Sequence, residues 1–177
     1  LSDSESIFKT MGDAIDFGVW LCDVNGKARY VSQSFLRLIE MSWEDFQEFG
    51  WTERLHPEDR KSNLSRWAYC VKSGIDWEGE YRILGPDGEY HTVLSRGKPV
   101  RDAKGNIDCW VGINLDITER KKIENELSIK NQHLQGIFDH APAGIALFDA
   151  EEPYRVIEHN REYQKYWPEP FKSQGMV

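Results

Sequence analysis

From Ile7 to Leu115 the apolar positions follow two rhythms, one near 3.6 residues and one of two. These predict short helices set between short strands. Ile7, Phe8, Met11 and Ile15 have helical spacing and end before Gly18. Val19–Asp23 and Lys27–Val31 then flank Val24-Asn25-Gly26, and an Asn-Gly between apolar runs predicts a hairpin because both residues tolerate positive φ. Phe35, Leu38 and Ile39 lie on one helical face. In Leu55-His56-Pro57-Glu58-Asp59-Arg60, Pro57 suits a first helical position, and the acidic pair opposes the positive helix end. Leu64, Trp67, Ala68 and Val71 continue that helix with a packed face, and Gly74 stops it. Trp77–Leu84, Tyr90–Val100 and Ile107–Leu115 follow as three longer strands joined by turns at 85–88 and 101–106, an antiparallel meander.

At Asp116 the pattern changes. Asp116-Ile117-Thr118-Glu119 predicts a capping box, and a charged helix follows. A heptad frame places Leu127 and Leu134 at a and Ile123 and Ile137 at d, but Arg120 and Lys130 interrupt the seam, leaving a short, marginal coiled coil. A repeat then begins. Asp13, Gly18 and Asp23 recur as Asp139, Gly144 and Asp149, each 126 residues on (139−13, 144−18, 149−23). More loosely, Tyr30–Phe35 is echoed by Glu158–Tyr163, so a second like module starts here and is cut short. The expected organisation is an N-terminal helix over 1–17, a domain over 18–118, a connecting helix over 119–138 and a truncated second domain over 139–177.

Composition narrows the function classes. The 177 residues are 40% hydrophobic and 12% aromatic, enough for a packed core. A net charge of −8 lacks the basic stripe of a nucleic-acid binder and the polybasic patch of a membrane-surface protein. There is no apolar run long enough to span a bilayer and no signal-peptide pattern. The chain does not begin with Met, which suggests a piece of a longer protein. Cys22, Cys70 and Cys109 form no CxxC pair, so neither a disulfide framework nor a zinc site is expected; three thiols fit a reducing cytoplasm. No hydrolase triad order, HExxH, GxSxG or phosphate-cradling loop is present, and His56 reads as a helix-start residue. No catalytic or metal site is expected.

Several stretches resemble the PAS domain of the PAS/PAC sensor type: Leu55–Arg60, Trp77–Ile83, Pro86-Asp87-Gly88, Ser95–Asp102 and Val111–Lys121, in the family's order. Residues 131–177 look like the start of another PAS domain. The resemblance implies an α+β fold, a five-stranded antiparallel sheet with short helices over one face and a pocket between them. A C-terminal helix would hand the signal on. Thr92 departs from the pattern, since this subfamily usually carries Trp there.

In light-sensing flavin members a Gln before the terminal Asp motif faces the cofactor, and Asn114 occupies the equivalent place. Counting by twos adds Gly112 and Trp110. Similar matching turns Trp20, Cys22, Tyr81, Ile83, Val93 and Ser95 inward, with the helix carrying Trp67 closing the pocket. The ligand expected is none, a non-covalent flavin or a small metabolite. The Asn-Cys-Arg-Phe-Leu signature of the flavin photoadduct branch is absent, and Cys70 reads as inert. Haem members usually supply a His from the helix that here contains none; His91 is the residual axial-ligand candidate. Trp20 and Trp110 could instead fill the pocket as solid core. On the other face, Val19, Leu21, Leu94, Val111, Ile113 and Leu115 need a cover, the N-terminal helix or a second copy.

The functional expectation is a cytoplasmic PAS sensor of a bacterial or archaeal two-component signalling protein. It would be non-catalytic itself and homodimeric through its N-terminal and connecting helices. Asp116, Thr118 and Glu119 would relay its state to a downstream output domain. Family association makes a histidine kinase the expected parent, with a cyclic-dinucleotide synthase or phosphodiesterase second. The alternative is a ligand-free interaction module. No nucleic-acid or membrane contact is expected of this segment.

Overall fold

A computed structural model describes residues 7, 10, 12, 17–47, 50–150 and 156–166. It divides into two units, 1–121 and 122–177. In the first, five antiparallel strands form one sheet: β1 (Gly18–Cys22), β2 (Ala28–Val31), β3 (Trp77–Leu84), β4 (Tyr90–Arg101) and β5 (Ile107–Asp116). Their order is β2-β1-β5-β4-β3, so the first strand pairs with the last. Between β2 and β3 run α1 (Gln33–Leu38), α2 (Trp43–Gln47), α3 (Trp51–Arg54) and α4 (Pro57–Ser73), and α5 (Thr118–His140) leaves β5. This is the α+β sheet-and-helices architecture that the resemblance implied.

Two turns share one device. Asp23 accepts the backbone N–H of Asn25 and of Lys27 on Oδ1, each at 2.9 Å. Asp102 does the same for Lys104 and Asn106, at 2.8 and 2.9 Å. In each loop only the glycine crosses to positive φ, Gly26 at 80° and Gly105 at 85°. The hairpin expected at Asn25-Gly26 therefore forms, but Asn25 stays at negative φ because the Asp23 carboxylate sets the turn.

Helix α4 starts and stops as its sequence predicts. His56 is the N-cap, its Nδ1 accepting the Glu58 N–H at 3.3 Å, Pro57 opens the first turn, and Gly74 closes the helix at φ 65°. Asp59 fastens the helix to β3 by accepting from the Arg82 backbone N–H, Nε and Nη2 at 2.8–3.0 Å. The packed face differs from expectation. Asn63 and Cys70 are buried and Trp67 half-buried, while Ala68 is exposed. The helix is rotated so that Asn63 is buried and Leu64 only partly so.

On the outer face Val19 and Leu21 are buried, and a Cβ at Gly12 would lie 3.3 Å from Val19 Cβ. Gly12, in a helical conformation, thus lies against β1. Phe8, Met11 and Ile15, invoked as the cover, lie outside the described residues. Farther along that face Ile113 and Leu115 remain 38% and 40% exposed.

The second unit contains most of α5, the antiparallel pair β6 (Ala146–Phe148) and β7 (Val156–His159), and α6 (Arg161–Tyr166). It reuses the first unit's opening joint. Ser32 Oγ accepts the Val19 N–H at 3.0 Å, and the Ser32 N–H donates to the Val19 carbonyl at 2.8 Å. In the repeat, Asn160 Oδ1 accepts the Ile145 N–H at 2.9 Å, and the Asn160 N–H returns to the Ile145 carbonyl at 3.0 Å. Asn160 Nδ2 also donates to the Phe138 and Ala143 carbonyls at 3.0 and 2.8 Å, pinning the end of α5.

Candidate ligand-binding site

Strand register arranges the inner face of the first sheet in rows. Across β1, β5, β4 and β3 stand Trp20, Gly112, Gly97 and Trp77. The next row is Gly18, Asn114, Ser95 and Gly79. Glycines in the first row make room for indoles. A Cβ at Gly97 would stand 2.2 Å from Trp20 Cη2, and one at Gly112 2.2 Å from Trp20 Cζ2. Glycines in the second row leave a polar pair flanked by aromatic rings, since Cβ atoms there would strike Phe35 and Trp77, each at 2.8 Å.

Above these rows is a cavity of about 80 Å³, lined by Trp20, Cys22, Gly26, Ala28, Phe35, Phe46, Gln47, Trp51, Asn63, Trp67, Trp77, Tyr81, Ser95 and Asn114. That volume holds several waters or one small organic molecule. Trp67 from α4 is the keystone: its ring meets Trp20, Trp77 and Trp110 edge-on, with centroids 5.6, 5.5 and 5.3 Å away. The polar pair is held from β3. Trp77 Nε1 donates to Ser95 Oγ at 2.9 Å, and the Tyr81 hydroxyl donates to Asn114 Oδ1 at 3.4 Å.

Among the described residues no Asp, Glu, Lys, Arg or His lines the cavity. Burial, reinforced by Asp23 and Cys109, pushes the Cys22 thiol up to about 12, and burial raises the Tyr81 phenol well above its ordinary range. Both are neutral, so these walls carry no charge.

Six of the nine expected pocket residues line the cavity: Trp20, Cys22, Trp67, Tyr81, Ser95 and Asn114. Ile83, Val93 and Trp110 point inward but are packed beneath neighbours at zero exposure, so they are core rather than wall. Leu55 bridges to Ile83, and Trp67 sits against Trp110. Trp77, Phe35, Phe46, Gln47, Trp51 and Asn63 were not anticipated. Trp77 shares the Tyr81 parity and could have been found; Asn63 lies one turn before Trp67 but is polar, which hid it.

A second cluster joins the sheet to α5. Asp116 Oδ1 accepts the Thr118 N–H at 2.9 Å and its hydroxyl at 2.5 Å. Thr118 Oγ1 in turn accepts the Thr92 N–H at 2.8 Å, while the Thr92 carbonyl accepts the Ile117 N–H at 2.8 Å. His91 Nδ1 meets Asp116 Oδ2 at 2.8 Å, and its Nε2 meets both Asp87 oxygens at 3.3 Å. Burial alone would lower the His91 pKa, but its bonds to Asp116 and Asp87 outweigh that and raise it above the ordinary value. Burial likewise raises Asp116, and the Thr118 and His91 bonds outweigh it downward. The capping box is corrected in one member: Asp116 works with Thr118 and His91, while Glu119 is exposed.

Cofactor chemistry can be tested on these side chains. His91, the haem candidate, has both ring nitrogens engaged by carboxylates away from the cavity, and no other histidine lines the walls among the described residues. Cys70 is buried on α4, its sulfur 3.6 Å from the Asp76 carbonyl, and is not a wall residue. Neither haem ligation by His91 nor a flavin adduct through Cys70 fits these walls, and Cys22, the wall cysteine, is held as a neutral thiol by its burial.

Comparison with known proteins agrees with the geometry. A family profile described as PAS fold matches residues 28–114, and one described as PAS domain matches 132–167. The methyl sulfide methyltransferase-associated sensor of Methanosarcina acetivorans is 31% identical over 76% of this chain and 14% of its own length. Sensor protein FixL of Bradyrhizobium diazoefficiens is 23% identical over 92% of this chain and 32% of its own. The chain thus spans under a third of either relative. A solved sensory box histidine kinase/response regulator structure from Burkholderia thailandensis superposes with a TM-score of 0.51 at 25% identity, covering 75% of this chain and 98% of that one. No helix among the described residues is long and apolar enough to cross a membrane.

Proposed function

The chain belongs to the PAS family of sensor domains, with a second PAS domain beginning after the first, and on that premise we propose that its cavity senses a small molecule. The state of the cavity passes through α5 to an output domain, a histidine kinase in the parent protein. One observation carries this reading. Asn114 in the cavity wall and Asp116 at the root of α5 are two residues apart on one face of β5. Their β4 partners, Ser95 and Val93, lead along the same strand to His91. A guest that shifts Asn114 and Ser95 therefore pulls on the strands that hold the helix root.

The polar wall groups are neutral amides and hydroxyls, which suits holding a small molecule. A second copy would cover the exposed Ile113 and Leu115 of the sheet and the exposed Ile123, Leu127, Leu134 and Ile137 of α5. Native mass spectrometry with an absorption spectrum of purified protein tests the reading. A retained small molecule, lost on Asn114→Leu with folding preserved, is the expected result. Retention unaffected by that change would overturn it.

A further inference from the structure

The contact between the β3–β4 turn and the root of α5 runs through one imidazole. His91 Nδ1 meets Asp116 Oδ2 at 2.8 Å, and Nε2 meets both Asp87 oxygens at 3.3 Å on the other side. Only an imidazolium donates from both nitrogens, whereas a neutral ring donates from one and presents a lone pair at the other. A bridge between the two carboxylates therefore requires the proton. The turn closes over the ring, since a Cβ at Gly85 would stand 2.6 Å from its Nε2 and Cδ2. The side chain is still 21% exposed, so bulk water can exchange that proton.

Charge on the neighbouring elements is directed elsewhere. Across β3 the register partner is Ile83, and Arg82 beside it is taken up by Glu58 and Asp59. His56, ahead of α4, meets the Tyr90 ring edge-on with centroids 4.6 Å apart. In the first turn of α5, Lys121 pairs with Glu80 at 2.9 Å, while Glu89 and Glu119 are exposed. Without the proton, two carboxylates flank an uncharged ring and repel each other. The shorter contact decides which is kept: Nδ1–H stays on Asp116, and the Nε2 lone pair turns Asp87 away. Asp87 keeps a place in its own turn, its Oδ1 accepting the Glu89 N–H at 3.1 Å. Asp116 keeps Thr118, whose Oγ1 accepts the Thr92 N–H. We propose that His91 is a proton-operated tie: protonated, it fastens the β3–β4 turn to the root of α5, and neutral, it releases the turn. Burial opposes the proton, but the two carboxylates outweigh it and lift the ring above its ordinary 6.5. Release therefore comes on the alkaline side of that value. The proton is then a second input to α5, separate from whatever the cavity holds.

Nuclear magnetic resonance of the whole chain from about pH 5 to about pH 9 tests the tie. Three non-exchanging signals report it: the His91 ring nitrogens, Gly88 Cα in the turn and the Thr118 methyl. All three should shift with one midpoint above 6.5, and the neutral ring should carry its proton on Nδ1. His91→Gln should hold Gly88 at its alkaline position throughout. Asp87→Asn should lower the ring midpoint and abolish the Gly88 shift, while Thr118 still follows the ring. Melting curves identify any variant that fails to fold, in which case the other decides. A ring that titrates while Gly88 and Thr118 stay still overturns the proposal. So does a neutral ring protonated on Nε2, or a Gly88 shift that survives in a folded variant. Ligand binding enters none of these readouts, so the sensing reading and the tie stand or fall separately.

Discussion

The indole of Trp20 lies directly on the backbone of Gly112, its register partner across β1 and β5. A methyl group at Gly112 would sit 2.2 Å from Trp20 Cζ2 and 2.3 Å from the Arg96 carbonyl oxygen. The ring can turn away, but the carbonyl belongs to β4 and cannot move without distorting the sheet. Gly112→Ala should therefore cost about 1–3 kcal/mol, the usual range for overpacking. Urea unfolding measures it. Trp20→Phe in the same chain should recover only the ring's share, and complete recovery would show that the strand backbone is not a constraint.

The joint at Ser32 predicts a second loss. Ser32 is fully buried and its Oγ satisfies the Val19 N–H. Ser32→Ala leaves that amide without its partner, at about 1–3 kcal/mol. Ser32→Asn copies the residue that plays this part in the second unit and should restore some of the loss. A melting temperature unchanged in the alanine variant would contradict the assignment.

The His91 clamp gives a pH dependence of definite sign. Its folded pKa lies above the ordinary 6.5, so its contribution is complete below 6.5 and disappears as pH rises through the folded value. Asp87 and Asp116 lie below their ordinary 3.8, so their contributions are present above 3.8 and disappear as pH falls through their folded values. The junction is tightest between these limits and loosens on the alkaline side. Melting temperatures of wild type and His91→Gln from about pH 5 to about pH 9 should converge as the imidazole deprotonates. A constant gap across that range would mean that the ion pairs contribute nothing.

Transmission is addressed at the root of α5. Asp116→Ala removes the acceptor for Thr118 and His91, and loss of such a helix-start acceptor costs about 1 kcal/mol. In the full-length parent this variant should alter output while leaving fold and ligand binding intact. Lys130→Leu, which removes a polar interruption from the heptad seam, should fix output in one state. Wild-type basal and stimulated output in both variants would remove α5 from the pathway.

The strand pattern was readable because alternation and turn residues are local properties. Asp23 and Gly26, or Pro57 and Gly74, act within a few positions of themselves. The cavity was only partly readable. Parity turned Trp20, Tyr81, Ser95 and Asn114 inward, but whether an inward residue is wall or core depends on what lies above it. Ile83 is bridged along its backbone by Leu55, 28 residues earlier (83−55), and no periodicity announces that. Helix phase misled for a different reason, because Asn63 lines the cavity and an apolar stripe cannot reveal a polar wall residue. The clamp was hidden for want of register: His91 came up only as a possible iron ligand, and Asp87 and Asp116 approach it from a turn and from another strand.

The crossing of indoles at Trp67 gives the molecule an optical property. Trp20, Trp77 and Trp110 stand at 86°, 77° and 72° to the Trp67 ring, all within 5.6 Å. Chromophores this close and this steeply inclined couple their transitions, and the coupling varies with both distance and angle. Trp67 rides on α4 while the other three are fixed to strands, so a small displacement of that helix changes three couplings together. The near-ultraviolet circular dichroism of the chain is then a gauge of how far α4 stands from the sheet, with no label attached.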